Sequence, residues 1–277
     1  MEQHDRIKIK NGKKYFFRFT AGQRIQHIIM ASSVVVLALT GMPLKFHDQP
    51  WAKHLYTLFG GIHSAPVVHK VAGVTLLLLF VYHLVYLSHN IYTRQIVPMR
   101  EKEGLGLGKL IKLILTQPFV PNMKDLKDII GLLKYLFFLA DERPDGTQWT
   151  WKEKFDYWGP FWGVPVLGLS GLIMWNKELA TTFLPGTIID FALIAHSDEA
   201  LLATLFIFIW HWYNVHFSTS VFPMGTVFLT GYLQEELMVE EHYEYYVELM
   251  TNAGLEQEIC PRHGVTVHDT IQGGSAA

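Results

Sequence analysis

Apolar residues in this chain gather into four long runs, at roughly residues 22–44, 66–88, 157–176 and 191–217. Each is long enough for a helix to cross about 30 Å of hydrocarbon. The pattern predicts four transmembrane helices. Between the second and third runs, NMKDLKDIIGLLKYLFFLAD sets apolar residues at helical spacing with Lys and Asp opposite. That is an amphipathic helix lying in the membrane interface or packed on a partner. After the fourth run, GYLQEELMVEEHYEYYVELM reads as an acidic surface helix or a subunit contact. The chain therefore divides into a lead (1–20), a transmembrane domain (21–220) and a tail (221–277).

Composition sharpens this reading. Of 277 residues, 17% are charged, where about 25% is usual in soluble proteins. The first apolar run follows about twenty polar, basic residues and is too long for a signal-peptide core, so no cleavable signal is expected. Residues 1–24 carry seven Lys or Arg, and the stretch from Arg94 to Lys154 carries eleven. The connection after the first run has only Lys45 and Lys53, and the one after the third only Lys177. By the positive-inside rule, both termini and the middle connection face the cytoplasm. The lead, KIKNGKKYFFRFT, reads as a solvated or headgroup-touching tail, with a docking strand for a cytoplasmic partner as the alternative. GLGLG after the second run is a hinge, lacking the strand–helix setting of a nucleotide loop.

The candidate chemistry lies in the histidines. His69 and His83 stand fourteen residues apart on the second run, and His196 and His211 fifteen apart on the fourth. These intervals are roughly 21 and 22 Å of helix, with angular offsets of about 40° and 60°. Two such helices side by side would hold imidazoles in two level pairs, one toward each membrane surface. Haem iron takes two axial ligands, and histidine supplies them readily. The single cysteine, Cys260, excludes both an internal disulfide and a covalent C-x-x-C-H haem site. Together with His263 it is too little for a metal site. His27, with Arg24 one turn before it, is either a ligand with a propionate-binding arginine or an interfacial histidine. Gly73 follows His69 by one turn and gives a flat tetrapyrrole room, or else serves helix contact. His216 is a further inner candidate. His47, His54, His63 and His89 read as loop or interfacial residues. The third run carries Pro160 and Pro165, which should bend it, and Gly163, Gly168, Ser170 and Gly171, which permit close packing. At its mouth Glu153, Asp156 and Trp158 are candidates for a quinone site, since quinone reduction consumes protons; the alternative is a charged helix cap.

Over residues 20–220 the chain resembles the membrane cytochrome b subunits of formate dehydrogenases and nickel–iron hydrogenases, and related subunits serving multihaem cytochromes. The resemblance rests on Arg24, His27, Thr40 and Gly41 in the first run and His69 and Gly73 in the second. It also rests on W…SGLIMW in the third and paired histidines in the fourth. It implies an all-α, four-transmembrane-helix bundle holding b-type haems in the cytoplasmic (inner) membrane. It pairs His69 with His196 toward the outer side, and His27 with His211 toward the inner side. The sequence departs from that family in its fifteen-residue interval, where the family has fourteen, and in the extra His83 and His216. A His83–His211 pairing instead resembles the respiratory bc-type cytochrome b. Two haems are expected, or three if four inner histidines all serve as ligands. The resemblance further implies an electron-transfer subunit joining an iron–sulfur or multihaem cytochrome partner to menaquinone or ubiquinone. Nothing in it points to nucleic acid. Three rivals are a stand-alone cytochrome b561-like transmembrane reductase, a histidine-relay proton channel or transporter, and a haemless membrane anchor.

Overall fold

The structure is a computed structural model and describes residues 6–104 and 106–262. His263 lies outside them. The chain is mostly helical, and its described residues form two compact units.

The first unit takes residues 21–110 and 158–215. It begins with α1 (Ala21–Lys45) and the short α2 (Pro50–Leu58). Helix α3 (Ser64–Ile91) continues through a π-helical stretch, Tyr92–Ile96, into α4 (Val97–Glu103). Helix α5 (Leu107–Leu115) closes this part, and the second unit's α6 (Met123–Leu136) comes next in the chain. Helix α7 (Trp151–Trp175) runs unbroken through Pro160 and Pro165. After α8 (Lys177–Phe183), helix α9 (Ile188–Leu205) continues in π-helical form over Phe206–His211 and Tyr213–Phe217.

Among the described residues, three helices are long and apolar enough to cross a membrane: Ala21–Lys45, Ser64–Lys102 and Ile188–Phe217. Helix α7 matches them in length at 25 residues, but its Trp, Gly and Pro residues dilute its hydropathy. Burial in this unit inverts that of a soluble protein. Ser33, Ala38 and Thr40 of α1, Ala65 and Ala72 of α3, Ser170 of α7 and Ala192 of α9 are buried, while Val71, Leu78, Val85 and Ile209 stay exposed. Small residues let helices approach closely, and large apolar ones suit a lipid surround.

The second unit takes the described parts of 1–20, 111–157 and 216–277. Here the structure corrects the reading of the lead as a solvated tail, and adds a sheet to the all-helical expectation. Strands β1 (Ile7–Lys10) and β2 (Lys13–Phe17) form an antiparallel hairpin with Lys10 opposite Lys13. Asn11 and Gly12 both take positive φ, 53° and 73°, as a two-residue I′ turn requires. Past α10 (Val227–Thr230), strand β3 (Tyr232–Gln234) pairs with β2. Helices α11 (Glu235–Glu241) and α12 (Tyr243–Asn252) then supply Met238, Tyr243, Tyr246, Leu249 and Met250 to a core around Phe16. Helix α6 starts on an Asn122–Asp125 capping box. It leaves Met123, Leu126, Ile130, Leu133 and Phe137 exposed.

Candidate functional site

The first unit brings four of the candidate histidines together as two pairs. His69 on α3 faces His196 on α9, with ring centres 6.2 Å apart. His27 on α1 faces His211, with ring centres 6.3 Å apart. A metal–imidazole bond is about 2 Å, and a ring nitrogen sits roughly 1.1 Å from the ring centre. Two imidazoles on one metal therefore have centres about 6.2 Å apart. Both pairs meet that test. Among the described residues no group of three or more His, Cys, Asp or Glu side chains gathers in metal-binding fashion. The histidines are arranged as two facing pairs.

The His69–His196 pair is held by hydroxyls. Thr40 Oγ1 lies 2.9 Å from His69 Nδ1 and donates to the Val36 carbonyl at 2.7 Å. Ser170 Oγ lies 3.1 Å from His196 Nδ1 and donates to the Val166 carbonyl at 2.5 Å. The Leu167 carbonyl accepts from His196 Nδ1 at 3.0 Å. Lys45, in the last turn of α1, bonds Asp198 at 2.7 Å and Ser197 at 3.2 Å. That ion pair ties the end of α1 to the turn of α9 that carries His196.

The interval from His196 to His211 is fifteen residues, one more than in the resembling family. The π-helical stretch Phe206–His211 falls inside it. A π turn bonds residue i to i+5 and so takes one extra residue into a single turn. His211 thereby returns near the angular position that a fourteen-residue α-helical interval would give.

The other candidates are placed differently. His83 Nδ1 lies 2.9 Å from Gln26 Oε1, and its ring meets Phe161 and Tyr86. His216 belongs to the second unit, where its ring packs on Phe217 and Phe228. Arg24 is half-buried one turn before His27. A Cβ at Gly73 would meet only Leu37, at 3.8 Å, an ordinary helix-packing distance. Glu153 behaves as the helix cap. It accepts from Thr150 N at 2.8 Å and from Arg18 Nη2 at 2.8 Å. Asp156 is half-buried, and Trp158 is exposed with its ring centre 5.1 Å from Phe161. Gln26, which meets His83, was not evident from sequence as a candidate. Gln26 is a buried amide inside an apolar run, which is itself a signal. Glu199 places Oε1 where a Cβ at Gly163 would stand 3.5 Å away.

Comparison with known proteins follows the same line. The family model described as "Prokaryotic cytochrome b561" matches residues 18–229. The formate dehydrogenase cytochrome b556(fdo) subunit of Escherichia coli (strain K12) is 23% identical over 236 residues. The match covers 84% of this chain and 92% of the relative. The subunit of the same name from Escherichia coli O157:H7 matches to the same extent.

Proposed function

Because the chain belongs to the prokaryotic cytochrome b561 family, and so to the membrane cytochromes b, we propose that it is the b-type haem subunit of a larger quinone-linked oxidoreductase. The observation that carries this reading is the pair of ring-centre distances, 6.2 and 6.3 Å, in one helical unit. His69 and His196 would hold one haem, and His27 and His211 a second. Bound haem supplies the one-electron chemistry. The helices contribute imidazoles, a low-dielectric surround and fixed ligand spacing. The contacts of His83 with Gln26 and Phe161 favour His27 as the partner of His211.

The relatives named as formate dehydrogenase subunits support a role beside a partner that handles the primary substrate. An iron–sulfur or multihaem cytochrome subunit is the class expected. Menaquinone or ubiquinone is the second redox partner in this reading. Exchange with it is assigned to the start of α7, where Glu153, Asp156 and Trp158 are its candidates; Glu153 accepts from Arg18 and Thr150 there. The basic stretches favour both termini on the cytoplasmic side, and α7 as a fourth span.

A reduced-minus-oxidised spectrum of the purified full chain tests the assignment. His69→Ala and His211→Ala should each remove one haem, while His83→Ala should leave both. A wild-type chain with no b-type spectrum ends the reading. A His83→Ala variant that loses haem replaces His27 as the ligand opposite His211.

A further inference from the structure

We propose that Thr40–Gly41 on α1 and Ser170–Gly171 on α7 form two matched cradles. Each fixes one imidazole of the His69–His196 pair as its Nδ1–H tautomer and leaves Nε2 to bind the iron. This rests on the haem reading above.

The first observation is a repeat. Residues 34–41 read VVVLALTG, and residues 164–171 read VPVLGLSG. Five of the eight positions are identical, and the remainder include Thr against Ser and Ala against Gly. The two copies lie on different helices, 130 residues apart in sequence.

The second observation is that equivalent positions do equivalent work. Thr40 has one hydroxyl proton and gives it to the Val36 carbonyl four residues back, at 2.7 Å. Toward His69 it can then only accept, so Nδ1 carries the hydrogen across the 2.9 Å contact. Ser170 gives its proton to the Val166 carbonyl, again four residues back, and accepts from His196 Nδ1. The Leu167 carbonyl, which has no proton to give, lies 3.0 Å from the same nitrogen and fixes that tautomer independently. In neutral imidazole the lone pair is then on Nε2, the atom left for a metal.

The third observation is the glycine. A Cβ at position 41 would stand 3.0 Å from His69 Cε1, and one at position 171 would stand 3.2 Å from His196 Cε1. Both rings lie against bare backbone, each beside the hydroxyl that orients it. Helix packing alone accounts for small residues. It does not account for an acceptor meeting Nδ1 at both copies.

Thr40 and Ser170 are thus positioning residues. An acceptor on the outer N–H fixes the orientation of a metal-bound histidine and raises its basicity. A hydroxyl already donating is a better acceptor, because linked hydrogen bonds polarise one another. More basic ligands favour ferric iron and lower the reduction potential.

The test uses the full-length membrane protein with its haems. Thr40→Val and Ser170→Ala should retain haem, raise the midpoint potential of one haem and shift its low-spin electron paramagnetic resonance signal. Both substitutions should act on the same haem, and the other should not move. Thr40→Ser and Ser170→Thr should return both readouts toward wild type. Unmoved potentials and spectra in the haem-loaded variants overturn the cradles, as does an effect on different haems. If Thr40→Val loses a haem, Thr40→Ser decides: recovery supports the proposal, and failure to recover overturns it. A wild-type protein with no haem would end the electron-carrier reading itself, whereas the other adverse results end only the cradles.

Discussion

A methyl group at position 41 would have to share space with the His69 ring, whereas one at position 73 would touch only Leu37 at 3.8 Å. Overpacking of this kind costs roughly 1–3 kcal/mol when neighbours cannot give. Gly41→Ala should therefore lower bound haem by about half, read as pyridine haemochrome per polypeptide, while Gly73→Ala stays at wild-type content. A second residue-scale expectation concerns Lys154, which is buried and donates to both carboxylate oxygens of Asp125 at 2.8 Å. Lys154→Met leaves that carboxylate buried without its cation, so unfolding should become easier by about 3–5 kcal/mol in chemical denaturation. Equal stability of variant and wild type would show the pair to be dispensable. The histidines were legible in sequence as candidates because an intramembrane imidazole is costly and so stands out. Gln26 and the hydroxyls of Thr40 and Ser170 were harder to see as site residues. Small polar side chains are common in helix interfaces, and only their contacts separate an acceptor from a spacer.

Helix α9 and its π-helical continuation show how an element absorbs a change in residue count. If the stretch Phe206–His211 stores one extra residue, deleting Ile207 should convert it to α-helix and leave His211 facing His27. Haem content should then be preserved. An alanine inserted after Phe208 should instead swing His211 by about another 100° and abolish that ligation. Loss of haem in the deletion would show that the π turn itself is required. The apolar runs were legible at this scale because the bilayer sets helix length. Helix α7 was legible as a helix but falls below its neighbours in hydropathy. The hairpin β1–β2 carries little local signal beyond its Asn11–Gly12 turn. Its strands are short and Lys-rich, and only Phe16 among them is buried. Its stability depends on β3, over 200 residues away.

In the unit built from both ends of the chain, Arg18, Glu153 and His242 form one network. His242 Nδ1 donates to the Thr147 carbonyl at 2.8 Å, and its other nitrogen is 3.7 Å from Glu153. Burial pushes the His242 pKa below the ordinary histidine value, against the pull of the Glu153 carboxylate. The folded unit therefore holds fewer protons there than the unfolded chain does. Its stabilising contribution is complete above pH of about 6.5 and is lost as pH falls from there toward the depressed folded value. Hydrogen exchange of residues 7–17 and 232–252 should quicken over that window, and His242→Gln should flatten the response. An unchanged pH dependence in the variant would remove His242 as its source.

The sequence by itself determined where the apolar runs lie, how the histidines are spaced along them, and the family likeness. All of these are properties of neighbours along one helix, so periodicity and composition expose them. Tertiary structure decided which histidine meets which, because ring separations depend on how helices cross and where a π turn resets the phase. It also decided that the lead and tail fold together, since a strand pairing across the length of the chain leaves no local pattern to read.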